Sequence, residues 1–167
     1  MTTVHLRPVQ RLRLQAAISG PIQRLGTVCA PVWEDPASVD QLLAEHLERI
    51  PRCRLLYALD TGGIRRSANV PPRESLPDFR GQNLTRRAFW EGPLPSIGPA
   101  LSPVYLDRDT FTPYVTMMQP VRLGSTLLGY LAADFGLNAL PAQAALGGPE
   151  QEQGAHPHPC IATLKDR

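Results

Sequence analysis

Nowhere in the 167 residues does an apolar run approach the ~20 residues that a membrane-spanning helix needs. The N-terminal stretch MTTVHLRPVQRLRLQAAISG also lacks the uninterrupted apolar core of a secretory signal, so a cytoplasmic location is expected. Cysteine is scarce. Cys29, Cys53 and Cys160 are odd in number, far apart and outside any C-x-x-C spacing, which argues against a disulfide framework and against a zinc knuckle. An excess of one charge is missing too: 17 basic and 15 acidic residues are scattered to a net +2, with no basic field for nucleic acid. No glycine-rich phosphate loop appears, and His5 and His46 fall in helical stretches without a Ser/His/Asp constellation. Catalysis and bound cofactors are therefore not expected, and a small molecule or another protein remains the natural partner.

What is present is a 43% hydrophobic chain, enough for one core but short for two ordinary domains. Leu6, Val9, Leu14, Ala17, Ile18, Ile22, Leu25 and Val28 fall near one face at helical spacing. Gly20 and Pro21 predict a break or kink there, because a helix-interior proline removes a hydrogen bond. A second helix is predicted from about Ala37 to Arg49, with Val39, Leu42, Leu43, Leu47 and Ile50 as its apolar stripe.

From Cys53 the period changes to that of strands. CRLLYALD, the turn TGG and IRRSANV predict a hairpin in which Asp60 is a turn residue and Gly62 and Gly63 supply positive φ. PPRESLPDFRGQN is loop-like; LTRRAFWEG predicts one or two helical turns capped by Asn83 or Thr85, and PLPSIGPALSP is read as loop. Pro103 to Asp109, Pro113 to Leu123 and Ser125 to Gly136 then predict a three-strand antiparallel meander joined by short turns. Residues 142–167, rich in Gly, Pro and Gln, read as a flexible tail.

One charge stands out. Asp134 lies in LLGYLAADFGLNALP, an otherwise apolar strand, and alternation puts it with Leu128, Tyr130 and Ala132, opposite Leu127, Leu131 and Phe135. Burying a carboxylate alone costs several kcal/mol, so either a cationic partner faces it or it caps the strand end through backbone amides. Arg87 carries a planar fork suited to a carboxylate, or else it decorates an exposed turn with Arg86. Phe89 and Trp90 beside it are pocket walls or ordinary core. Tyr114, Thr116 and Met118 share a face of a central strand, near Tyr105, and a face with hydroxyls suits a polar-lined cavity. Tyr57 and Tyr130 read as packing residues. His156, His158 and Cys160 alternate in HPHPC, but a proline-rich tail supplies no supporting residues, and no metal site is assigned.

Taken in order, LLYALDTGGIRRSANV, RRAFW, LSPVYLDRDTFTPYVTMMQPV and LLGYLAADFGLNALP resemble the Cache, or PDC, sensor domains, a PAS-like family, over roughly residues 37–141. The resemblance implies an α+β fold: a PAS-like five-stranded antiparallel sheet with N-terminal helices on one face and a loop or helix crossover on the other. It divides the chain into a helical extension (1–36), the sensor domain (37–141) and the tail (142–167). Amino-acid-sensing members carry an arginine and two aromatics on the crossover and an aspartate on the last strand, where this chain has Arg87, Phe89, Trp90 and Asp134. The family pattern has Trp then Tyr where Phe89 and Trp90 stand, and a tyrosine where Gln82 stands.

The expected function is sensing of a small polar metabolite (amino acid, amine or small carboxylate), with Arg87, Phe89, Trp90, Tyr105, Tyr114, Thr116, Met118 and Asp134 as the ligand-binding set. Output would pass through a separate signalling protein or a homodimer, since the helices carry more apolar positions than one sheet face needs. The alternative is a ligand-free interaction or dimerisation module of the same fold.

Overall fold

The computed structural model describes residues 5–68, 70, 80–108 and 111–137. The tail 142–167, with His156, His158 and Cys160, lies outside the described residues, as does 71–79 within the crossover.

Helix α1 spans Pro8–Cys29, opening with a proline that has no N–H to lose at that position and with Arg7 N–H donating to Gln10 Oε1 at 2.7 Å. It runs through Gly20 and Pro21 as one element, contrary to the expected break. Gly20 has no Cβ to clash with the proline ring, and Ile18, Ile22, Leu25 and Cys29 bury completely on either side of it. Tertiary packing thereby outweighs one missing hydrogen bond. The predicted stripe holds at its centre and fails at its edges: Ala17, Val9 and Val28 are exposed, the last two among the large exposed hydrophobics. Helix α2, Pro36–His46, is capped by Asp35 Oδ1, which accepts from Ala37 N–H at 3.2 Å, and a single 3₁₀ turn follows at Leu47–Arg49. Val39, Leu43 and Ile50 are buried, and Leu42 and Leu47 pack around them.

Five strands form one antiparallel sheet: β1 Leu55–Asp60, β2 Ala100–Leu101, β3 Tyr105–Leu106, β4 Pro113–Leu123 and β5 Thr126–Gly136, in the order β1-β5-β4-β2 with β3 also on β4. This is the α+β, PAS-like architecture, but its membership differs from expectation. The segment after the TGG turn is not a strand. It makes isolated bridges at Leu59–Arg65 and Leu56–Val70, because Arg65 spends its N–H on Gln82 and its carbonyl on Gly81, while the Ser67 hydroxyl takes the Ala58 N–H. The fifth strand is instead β2, a stretch that reads as loop, paired at Ala100–Met118 and Leu101–Met117. No helix forms at residues 84–90 either. Successive turns, Arg87 N–H to Leu84 O and Trp90 N–H to Arg87 O, carry the chain there, with Asn83 Oδ1 holding the Thr85 N–H at 2.9 Å and its hydroxyl at 2.7 Å.

The sheet buries both faces. On one, Leu56, Ala58, Val115, Met117, Leu131, Ala133 and Phe135 join α1, α2 and Trp33 in the main core. On the other, Tyr57, Leu59, Met118, Tyr130 and Ala132 meet Leu84 and Phe89 from the crossover. A bulge interrupts the β4–β5 register. Val121 lies opposite Gly129 and Arg122 opposite Leu127, which leaves Leu128 as the extra residue. Leu127 consequently packs on the crossover side and Leu128 on the helix side, the reverse of unbroken alternation. Next to the bulge, only glycine fits at position 129: a Cβ there would lie 2.2 Å from Leu59 O and 2.6 Å from the Trp33 ring.

Candidate functional site

Asp134 sits on the crossover face of β5, directly opposite Thr116 on β4 and diagonal to Tyr57 on β1. Its Oδ1 accepts from the Thr116 hydroxyl at 2.7 Å and from the Tyr57 hydroxyl at 3.1 Å. Because the Thr116 proton is committed to Asp134, the Tyr105 hydroxyl, 2.7 Å from Thr116 Oγ1, is the donor in that contact. The result is an ordered relay, Tyr105 to Thr116 to Asp134, with Tyr57 closing from the other side. No described residue donates to Oδ2 of Asp134, and the residue keeps partial solvent access. Burial pushes its carboxyl from the usual range up to about 6, against the pull of the two hydroxyl donors and the charge of Arg65; Asp107 adds to the rise. The aspartate is therefore not a backbone cap at a strand end: its carboxylate points at hydroxyls within the crossover face.

Aromatic rings surround this group. Phe89 lies 6.3 Å from the Tyr57 ring and 6.1 Å from Tyr105, both tilted, and Tyr114 stacks on Tyr105 at 6.5 Å. Met118 belongs to the same buried cluster. Trp90 is set further along, edge-on to Tyr130 at 5.7 Å and over Gly63, where a φ of +80° and a Trp90 atom 3.0 Å from any Cβ together require glycine. Arg87 is half-buried. Among the described residues no side-chain acceptor holds its guanidinium, and its positive charge reaches Tyr105, whose hydroxyl burial and Asp134 push well above the ordinary value.

The structure thus joins Asp134, Thr116, Tyr105, Phe89 and Tyr114 in one connected group, places Met118 and Arg87 at its margins, and leaves Trp90 with Tyr130. Two participants escaped the sequence reading. Tyr57, read as packing, bonds Asp134; its position diagonal to Asp134 was the available signal, hidden until the β1–β5 register was known. Arg65, only 5% exposed, stacks its guanidinium 4.3 Å above the Tyr57 ring, and nothing local distinguishes it from Arg66. No group of three or more His, Cys, Asp or Glu converges to hold a metal among the described residues. Cys29 and Cys53 are pushed up to about 12 by burial and are inert as nucleophiles near neutral pH.

No family model matches the sequence, and no curated protein does. Solved structures do. The ligand-binding domain of the Pseudomonas fluorescens chemoreceptor CtaA in complex with L-alanine superposes with a TM-score of 0.59 at 22% identity, over 80% of this chain and 60% of that one. The chain has the Cache fold. The corresponding domain of Campylobacter jejuni Tlp3 with 4-methylisoleucine matches at TM-score 0.58 and 14% identity, over 77% of this chain and 52% of that one. That of Pseudomonas aeruginosa PctC with GABA matches at 0.56 and 22%, over 81% and 62%. The chain therefore spans less than two thirds of each of these neighbours. Among its described residues no helix is long and apolar enough to cross a membrane.

Proposed function

We propose that this Cache chain is a non-catalytic small-molecule sensing module whose ligand is a small amino compound, an amino acid first, lying against the crossover face of the sheet. The observation that carries the reading is the half-satisfied Asp134: one carboxylate oxygen is filled by Tyr57 and Thr116, and no described residue donates to the other. An ammonium group satisfies that oxygen, the Arg87 guanidinium takes a carboxylate, and Phe89 covers the apolar part between them. The neighbours solved in complex with L-alanine, 4-methylisoleucine and GABA support the ligand class.

A thermal-shift screen of amino acids, amines and small carboxylates tests the proposal, because a ligand bound only by the folded state raises the melting temperature by mass action. At least one hit is expected, lost in Arg87→Ala and Asp134→Ala. Variants that respond like the parent remove these residues from the site. The proposal includes a cytoplasmic location, checked by fractionating cells that express the tagged chain.

A second reading is favoured by Val9, Leu12 and Val28, which α1 leaves exposed. In it the helices form a homodimer, as output of the sensor or as the chain's whole role. Light scattering of the parent and of Leu12→Glu tests this: a dimer that becomes a monomer supports the helical interface, and a parent monomer removes it.

A further inference from the structure

We propose that Arg65 is the positioning residue of the site, acting through Tyr57 to keep Asp134 ionised for its ligand. The inference rests on the reading of Asp134 as the ammonium-binding group. On this proposal Arg65 acts on Asp134 through Tyr57 and through space, and does not touch the ligand.

The geometry begins with the backbone. Arg65 donates its N–H to Gln82 O at 2.9 Å and accepts at its carbonyl from Gly81 N–H at 2.8 Å, so both main-chain groups are fixed by the crossover rather than by β1. That anchoring lays the side chain inward. The guanidinium sits 4.3 Å from the centre of the Tyr57 ring, buried to 5% exposure. A cation over the ring face draws electron density from the phenol and makes its hydroxyl a better donor, and that hydroxyl points at Asp134 Oδ1, 3.1 Å away. The same positive charge acts on the carboxylate through a poorly solvated space, where a charge is felt over a longer range than in water.

The other groups around Asp134 do not substitute for it. From β1 come Tyr57 and, ahead of the strand, Cys53; from β4, Thr116; from β3, Tyr105, with Asp107 just beyond it. Among the described residues the only cation in this set of influences on Asp134 is Arg65, while Arg87 acts on Tyr105 and Arg54 lies over Tyr114 at 5.6 Å. Asp107 works against ionisation, and burial does so most of all.

The test is a carbon-13 carboxyl NMR titration of the ligand-free protein, with the Asp134 signal identified by its loss in Asp134→Asn. In Arg65→Met the Asp134 midpoint is expected to rise by about one pH unit or more, the usual scale of removing a nearby opposite charge. In Arg65→Lys it should return toward the parent value. A folded Arg65→Met protein with an unmoved midpoint overturns the proposal, as does Arg65→Lys remaining as high as Arg65→Met. Arg65→Gln, which also removes the charge but keeps polar reach, stands in if the methionine variant does not fold. Because the titration needs no ligand, it separates the two readings. A shifted midpoint with no hit in the metabolite screen counts against the ligand alone, and a hit with an unmoved midpoint counts against Arg65 alone.

Discussion

Ser102 and Thr116 exchange two hydrogen bonds, Ser102 N–H to Thr116 O at 2.8 Å and Thr116 N–H to Ser102 Oγ at 2.9 Å, at the point where the short edge strand β2 ends. Thr116 then bonds Asp134, and on the opposite side Arg11 of α1 bonds Ser102 O at 2.9 Å and Leu101 O at 2.8 Å. Four residues thereby link the candidate site to the N-terminal half of α1. Arg11→Ala should cost roughly 1–3 kcal/mol, the scale of two ordinary hydrogen bonds from a partly exposed side chain. Hydrogen exchange should show faster amides at Leu101 and Ser102 while β1 stays protected. Unchanged exchange at those amides would mean that β2 is held by β4 alone.

Asp134 makes a sharper demand. Its folded-state value of about 6 lies above the ordinary 3.8, so between these values the folded protein holds the proton that the unfolded chain has released. Stability must then fall as pH rises from about 4 to about 6 and level off above, as far as this group decides it. Asp134→Asn keeps an acceptor for Thr116 and Tyr57 and carries no charge. Urea denaturation should find it more stable than the parent at pH 7, by roughly 1–2 kcal/mol, and without that decline. A variant less stable than the parent at neutral pH would show that the ionised carboxylate is a structural asset rather than a cost borne for a ligand.

The same titration governs binding. An ammonium ligand needs the ionised carboxylate, so the affinity of a hit from the screen should drop progressively as pH falls below about 6 and stay flat from pH 7 to about pH 8.5. Isothermal titration across that range checks it. Affinity that rises on acidification would mean that the ligand meets a protonated Asp134.

Packing at the β4–β5 bulge gives a control of opposite character. Gly129→Ala places a methyl 2.2 Å from Leu59 O and should cost about 3 kcal/mol or more, because backbone cannot yield as a flexible side chain does. Gly98→Ala, with nothing within 4 Å of the new methyl, should change stability by no more than about 0.5 kcal/mol in the same melts.

Much of the central architecture is legible in the amino-acid order alone. Strand β4 falls on the residues expected, opening at Pro113, and β5 starts one residue later than expected, because long apolar, β-favouring runs between turn signals mark buried strands. The Asp60 turn is readable from its glycines, though only Gly63 and not Gly62 takes the positive φ expected of both; Asp60 Oδ1 holds Gly62 and Ile64 N–H at 2.8 and 2.9 Å. A two-residue edge strand such as Ala100–Leu101 carries no period at all; only the presence of β4 beside it makes it a strand. Likewise Arg66 and Arg65 are adjacent and chemically identical, yet one lies over Trp33 at 5.6 Å and bonds its carbonyl, while the other is buried against Tyr57.

Apolar period and turn chemistry, both properties of neighbours along the chain, determined the helix at Pro36–His46, the central strands and the face shared by Thr116 and Tyr114. Which oxygen of Asp134 is filled, which arginine is buried and which leucine changes sides at the bulge were decided only when separate segments came together, Tyr57 and Asp134 from 77 residues apart. Hydrogen bonding and charge burial act over a few ångströms of space, and that distance is set by the sheet register rather than by sequence separation.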